Sequence, residues 1–226
     1  VSPADASTSF SFIVKPHATR VVVWDAPPTV ERGKRFGIKL ATGGNILPAL
    51  VSYSEFPGME GAGTVEAVGP GVYTVAVGDT VAYCLEVGSY AELAVVPAWK
   101  LVRVPDGVPL DIATALQLQG MTAHYLTHSL FPLAEGHTCL IHAGAGGMGQ
   151  LAIQLAKMRG AEVIVTVGSE EKAEIARQRG ADHAILYRDM DFADAVLEIT
   201  GGLGADVVYD SVGRETFLGS LDCLAP

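Results

Sequence analysis

An α/β fold is predicted, with a compact β-rich domain first and a doubly wound, parallel-sheet domain after it. Three observations predict it. Short apolar runs separated by glycine and proline turns fill the N-terminal half. The pattern changes near Asp106. Beyond that point, apolar strands alternate with amphipathic helices of about ten residues, the signature of right-handed crossovers onto a parallel sheet.

In the first half, Arg20 to Trp24 is a short apolar run stopped by Pro27-Pro28. Phe36 to Leu40 alternates. Gly63 to Val68 and Thr80 to Tyr83 are bounded by Gly69-Pro70-Gly71 and Gly78-Asp79, and Tyr90 to Val96 is closed by Pro97. Strands this short at this spacing suit a barrel-like domain. The boundary is expected at Pro105-Asp106-Gly107, giving a β domain over 20–105 and a second domain over 106–226.

The second domain opens with a helical pattern from Leu110 to Ser129. Four strand–helix units follow. The strands are Thr138 to Ala143, Glu162 to Val167, His183 to Tyr187 and Asp206 to Asp210. The helices are Gly147 to Arg159, Glu170 to Arg179, Met190 to Thr200 and Glu215 to Leu224.

Composition narrows the function classes. The 226 residues are 49% hydrophobic, enough for a sizeable core, and the net charge is −10. With no basic run, the chain lacks the clustered Lys and Arg that phosphodiester backbones require, so nucleic acid is not expected as a partner. No apolar stretch reaches membrane-spanning length. Cys84, Cys139 and Cys223 are scattered and odd in number, which reads as a reducing compartment without a disulfide framework. The Ser/Thr-rich stretch Val1 to Arg20 reads either as the tail of a transit peptide or as a disordered leader. The location expected is cytoplasmic, with mitochondrial as the alternative.

The chemistry is concentrated in Gly144-Ala145-Gly146-Gly147-Met148-Gly149, a GxGxxG segment between a strand and a helix. Its first glycine permits a tight turn. The second lets backbone approach a pyrophosphate, and the third lets helix and strand come close. A pyrophosphate then meets the free N–H groups of the helix start. Strand, helix and second strand supply the context that makes this a dinucleotide-binding (Rossmann) signature rather than an ordinary turn.

The end of the second strand bears on which dinucleotide. An Asp or Glu there would hold the ribose hydroxyls of NAD(H). This chain has Val167-Gly168-Ser169 and then Glu170-Glu171-Lys172. A small polar residue and a nearby lysine suit a 2′-phosphate. The bland alternative for Lys172 is a solvated helix lysine.

The motifs Pro57-Gly-Met-Glu-Gly-Ala-Gly63, Val77-Gly-Asp-Thr-Val-Ala-Tyr83, Gly88-Ser-Tyr-Ala-Glu92, Gln119-Gly-Met-Thr-Ala123, His142 to Gly149, Gly168-Ser-Glu-Glu-Lys172, Gly180-Ala-Asp-His183 and Tyr209-Asp-Ser-Val-Gly213 run in order along the chain. With them the sequence resembles the quinone oxidoreductases of the medium-chain dehydrogenase/reductase superfamily, the zeta-crystallin-like branch. The resemblance implies a GroES-like β-barrel domain beside a Rossmann domain, NADPH as cofactor, and a small-molecule quinone or enone as substrate. A homodimer is a further expectation.

Residue by residue, the resemblance implies Thr122 near the nicotinamide, and Gly144, Gly146, Gly147, Met148 and Gly149 around the pyrophosphate. It implies Ser169, Lys172 and Tyr187 at the 2′-phosphate end, and Ser211 and Gly213 in the loop after the fourth strand. Asn45 resembles the family's active-site asparagine, and Tyr53 is a second catalytic candidate or an ordinary surface tyrosine. His142 matches the family, but the reading preferred for it is a packed strand histidine. No metal is expected, because zinc-dependent relatives carry a histidine where this chain has Met59, and a thioether is a poor zinc ligand.

Two departures stand out. The segment Ile46 to Pro57 is shorter than its family counterpart and different from it. The family also continues beyond the fourth strand–helix unit, so ending at Pro226 would leave Asp206 to Asp210 as an apolar edge, in a fragment or a truncated product. The functions to weigh are an NADPH-dependent quinone or enone reductase, a catalytically silent NADPH-binding or structural protein, and a zinc-type alcohol dehydrogenase.

Overall fold

The structure, a computed structural model, describes residues 58–226 other than Glu92, together with the backbone of three strands at 19–24, 36–37 and 48–49. Asn45 and Tyr53 lie outside the described residues. The described residues fall into two compact units, divided between Gln117 and Leu118.

The first unit is built on a mixed five-stranded sheet. Its strands are β1 (Thr19–Trp24), β4 (Glu60–Val68), β5 (Thr80–Cys84), β6 (Leu93–Pro97) and β7 (Val102–Arg103), in the order β6-β1-β4-β5-β7. A separate antiparallel pair joins β2 (Phe36–Gly37) to β3 (Pro48–Ala49). The strands β4 and β5 run antiparallel, from Glu60 opposite Cys84 to Thr64 opposite Thr80. Val65, Val81, Tyr83 and Val96 are buried in this unit's core. Tyr90 stands outside β6 and is exposed, so this strand starts three residues later than its alternation suggests. The preceding Gly88 donates its N–H to Gly58 O, which ties this stretch to the chain before β4 instead of to the sheet.

Helix α1 (Leu110–Leu116) packs against β4 and β5 through Ala113, which meets Ala62 and Ala82. The long helical pattern is therefore divided. After a break at Gln117 come α2 (Leu118–His124) and a wide π-type turn over Tyr125–Leu130. Thr122 and Thr127 both donate their hydroxyls to the carbonyl four residues earlier, at 2.7 and 2.8 Å. Such back-bonding bends helices, and hydrophobic periodicity does not register it.

The second unit carries a four-stranded, fully parallel sheet: β8 (Thr138–Ile141), β9 (Glu162–Val167), β10 (His183–Leu186) and β11 (Val207–Tyr209), in the order β10-β9-β8-β11. The crossovers are α3 (Gly147–Met158), α4 (Glu170–Gln178) and α5 (Phe192–Ile199), with α6 (Phe217–Asp222) after β11. Both faces of the sheet are covered. Cys139, Ile141, Val163 and Val165 point into one core with Ile153 of α3, while Leu140 and Ile164 point into another with Val196 of α5. This two-sided burial is why these strands read as unbroken apolar runs. Asp191 starts α5 by accepting the N–H groups of Ala193 and Asp194, which trims the expected helix by two residues.

The chain lays down β8, β9 and β10 in one direction and then returns to the far side of β8 for β11. That reversal makes the C-terminal ends of β8 and β11 a topological switch point, where open α/β sheets bind their ligands. Outside β11 no further described strand pairs in the ladder, but Leu224 makes a parallel bridge with Ala205.

Candidate cofactor site

The loop from β8 into α3 is closed on itself. Gly144 N–H donates to Thr166 O at 3.1 Å, and Gly146 N–H donates to Ala143 O at 2.9 Å. A Cβ on Gly144 would stand 2.6 Å from Val165 Cβ, and one on Gly149 would stand 2.5 Å from Ala143 O and 2.8 Å from Gly144 O. The obstacle at Gly149 is backbone, so no rotamer change relieves it. Ala143 has φ +54°, a left-handed conformation uncommon for a residue with a Cβ.

Gly146 caps α3 without any side-chain bond, and both Gly146 and Gly147 are exposed. The helix therefore presents its first N–H groups outward, in the geometry that receives an anion. The side chain of Gln119, on α2, lies where a Cβ on Gly147 would be.

The other carbonyl of this loop is also held. Gln150 Nε2 donates to Ala145 O at 2.9 Å, and Gln150 Oε1 accepts from Arg179 Nε at 3.0 Å. The Ala145–Gly146 peptide is thus fixed at its oxygen and at its N–H.

At the C-terminal end of β9 the chain turns through Gly168 and Ser169 into α4. Ser169 caps α4, its hydroxyl accepting Lys172 N–H at 3.4 Å. The hydroxyl can still donate outward. Lys172 is exposed and Tyr187 half-exposed. The Tyr187 hydroxyl lies across Gly168, so Ser169 and Tyr187 meet at one strand end with Lys172 in the adjoining helical turn. The two acidic residues in that turn have a structural explanation. Acids favour a helix N-terminus, and the Glu170 carboxylate is drawn back along α4 to Arg177 Nη1.

Beyond β11, Ser211 and Gly213 sit in a tight loop, with Gly213 at φ +83°. The organiser of this loop is Asp210. Its Oδ1 accepts Val212 N–H at 2.8 Å, Gly213 N–H at 2.9 Å and Thr216 Oγ1 at 2.8 Å, and its Oδ2 accepts Ser220 Oγ at 3.0 Å. Burial by itself would raise this carboxyl. The bonds from Gly213, Thr216, Val212 and Ser220 outweigh it and hold the pKa down at about 2. Ser220 in turn meets His142 Nε2 at 3.0 Å, and His142 Nδ1 meets Thr166 Oγ1 at 2.8 Å.

The sequence places Ser211 and Gly213 here; Asp210 and Gln119 stand in its family motifs without a role of their own, and Gln150 is not singled out at all. Only Asp210 carried a local signal, as a carboxylate two and three residues before the N–H groups it caps. Thr122 lies on α2, which packs on α3, and its hydroxyl is turned to Leu118 O.

Comparison with known proteins fits this geometry. Residues 29–106 match the family described as alcohol dehydrogenase GroES-like domain, and residues 147–226 match the one described as zinc-binding dehydrogenase. A 2-haloacrylate reductase from a Burkholderia species is 50% identical over 172 residues, covering 75% of this chain and 52% of its own. A quinone oxidoreductase structure from Pseudomonas syringae superposes with a TM-score of 0.73 at 48% identity, over 75% of this chain and 52% of that one. This chain belongs to the quinone oxidoreductase family of the medium-chain dehydrogenase/reductase superfamily. It joins a GroES-like domain to a Rossmann-type nucleotide-binding domain.

The Escherichia coli quinone oxidoreductase, solved as a complex with NADPH, superposes with a TM-score of 0.72 at 42% identity, over 74% of this chain and 52% of that one. The chain spans about half the length of the family members it matches. Among the described residues, no group of three or more His, Cys, Asp or Glu is placed to share a metal ion. The same residues hold no helix long and apolar enough to cross a membrane.

Proposed function

We propose that this chain binds NADPH and serves a zinc-independent reductase of quinones or α,β-unsaturated carbonyls. The observation that carries the reading is the end of β9. In place of a carboxylate it has Gly168 and the Ser169 cap, covered by Tyr187 and followed by Lys172. That surface offers hydroxyl donors and one exposed cation to a 2′-phosphate and has no acidic residue at the strand end itself, where one would select NADH.

The glycine loop fits the rest of the cofactor. Gly144 and Gly149 have no room for side chains, and the start of α3 is left for the pyrophosphate. In this reading Gly146, Gly147 and Met148 supply N–H groups to it. Thr122, Ser211 and Gly213 border the nicotinamide half. Bound NADPH would supply the hydride. The protein supplies position and polarity. Asn45 is proposed as the donor facing the acceptor oxygen, with Tyr53 as a weaker second.

Zinc is left out of this reading because Met59 stands where zinc-dependent relatives have histidine, and Cys84, Cys139 and Cys223 are all buried. Conjugated acceptors need less polarisation than alcohols or simple ketones, which suits a site without a Lewis acid. A homodimer and a cytoplasmic or mitochondrial location complete the proposal.

The test follows NADPH absorbance with ortho-quinones, para-quinones, alkenals and ethanol with NADP. Oxidation with quinones or alkenals and none coupled to ethanol is expected. NADPH binding without turnover of any acceptor would replace the reductase by a silent NADPH-binding protein. The altered segment 46–57 favours that second reading.

A further inference from the structure

Under the glycine loop runs a buried polar chain that neither the pyrophosphate nor the 2′-phosphate end accounts for. Thr166 of β9, His142 of β8 and Ser220 of α6 are buried and joined in series, at 2.8 Å and 3.0 Å. Ser220 reaches Asp210 at 3.0 Å, and Asp210 gathers the backbone of Val212 and Gly213. The His142 ring also stands perpendicular to the Phe192 ring, centroid to centroid at 4.8 Å, which restrains the imidazole plane.

Donor arithmetic sets the direction of the chain. The Asp210 carboxylate only accepts, so the Ser220 hydroxyl spends its one proton on Oδ2. His142 Nε2 must then carry the ring proton and donate to Ser220 Oγ. Nδ1 is left as an acceptor for the Thr166 hydroxyl. The bonds run one way, from Thr166 through His142 and Ser220 to Asp210.

Sheet order says what this serves, given the NADPH reading on which the inference rests. The 2′-phosphate end lies at β9 and β10, and the pyrophosphate loop follows β8. The remaining half of a dinucleotide must cross toward β11 and the loop Ser211–Gly213. We infer that His142, Ser220 and Asp210 are positioning residues that hold the 211–213 loop in register with the glycine loop, for the nicotinamide half of the cofactor. His142 links the two loops directly: it is followed by Ala143 and Gly144, and its own N–H donates to Tyr209 O at the end of β11.

Two measurements test this. Ring nitrogen NMR on the 226-residue chain should find His142 as the Nε2–H tautomer. Asp210→Asn should move the proton to Nδ1, because an amide N–H facing Ser220 forces that hydroxyl to donate back to the imidazole. An Nδ1–H tautomer in the unsubstituted protein overturns the inference. So does a ring indifferent to Asp210→Asn.

The second measurement titrates Ser220→Ala and Thr216→Val with NADPH and with 2′,5′-ADP, which lacks the nicotinamide half. Thr216→Val loses the hydroxyl that donates to Asp210, and Ser220→Ala loses both its bond to Asp210 and the acceptor of the His142 ring proton. NADPH should weaken about fivefold in Thr216→Val, as for one hydrogen bond, and further in Ser220→Ala, with 2′,5′-ADP within about twofold in both. Equal losses for both ligands, or none for either, overturn the inference while leaving the NADPH reading intact. If the unsubstituted chain binds neither ligand, the NADPH reading fails and this inference falls with it.

Discussion

The hydroxyl of Tyr187 lies 2.9 Å from the point where a Cβ on Gly168 would stand. The bare glycine is what lets a half-exposed tyrosine fold over the end of β9. Tyr187 is the first residue after β10, the next strand along the sheet, so the contact joins the C-terminal ends of neighbouring parallel strands where the adenosine end of the cofactor is proposed to bind.

Gly168→Ala should therefore act on the site more than on the fold. The obstacle is the far end of an exposed side chain, and the ring can swing away at a cost below about 1 kcal/mol. NADPH affinity should fall severalfold while the thermal midpoint stays within a few degrees. A calorimetric titration beside a melting curve separates the two. A large stability loss with unchanged affinity would place Tyr187 in a structural role alone.

Lys172→Ala should weaken NADPH by about tenfold and leave NADH nearly unchanged, as loss of a charge-assisted bond to a 2′-phosphate predicts. The discrimination should also shrink as salt rises, because Lys172 is exposed and its field is screened. Parallel loss of both cofactors would show that Lys172 does not read the phosphate.

Gly149→Ala should be severe in both respects. The new methyl meets the carbonyls of Ala143 and Gly144 at 2.5 and 2.8 Å, and α3 must shift from the loop to admit it. Overpacking of this kind costs about 1–3 kcal/mol. Dinucleotide binding should be lost with it, NADH and NADPH alike, in fluorescence titrations of whatever fraction remains folded.

His142 gives a pH dependence with a definite sign. Burial lowers its pKa in the folded protein, with Asp210 pulling weakly the other way. The unfolded chain takes up this proton near the ordinary pKa of about 6.5. Stability from this group is full above that value and is lost as pH falls below it toward the lowered folded pKa. Chemical denaturation at pH 7.5 and pH 5.5 should show the decline, and His142→Gln should flatten it. Asp210 behaves likewise at lower pH: its contribution is present above the ordinary carboxyl range near 4 and fades as pH approaches about 2.

Chelation should leave acceptor-dependent NADPH oxidation unchanged, with no stoichiometric zinc in the purified protein. Metal bound at one per chain and lost together with activity would overturn the zinc-free reading of Met59.

Much of the second unit was legible in the sequence, because its strands are buried on both faces and its helices on one. The continuous run Thr138 to Ala143 and the periodic face of α3 carry their environment in their composition. The glycine loop was legible for a related reason: backbone packed as closely as Gly149 against Ala143 O permits one residue type, so geometry leaves a mark at single positions. The long helical pattern from Leu110 was less so. Its apolar spacing continues across Gln117, while the break there falls where one compact unit ends and the next begins, and the wide turn at Tyr125–Leu130 accompanies the threonine back-bonds.

The sequence by itself determined the class of the fold, the order of its strands and helices, the dinucleotide loop and the Gly168-Ser169 pair that stands where an NAD-type carboxylate would end β9. These depend on residues close together in the chain, where hydrophobic period, turn chemistry and glycine act locally. Only the tertiary structure decided which polar groups work together. His142 and Ser220 are 78 residues apart, Gln150 and Arg179 are 29 apart, and Tyr187 reaches Gly168 from the end of the neighbouring strand. A hydrogen bond depends on distance and direction in space, and the sheet order β10-β9-β8-β11 sets those.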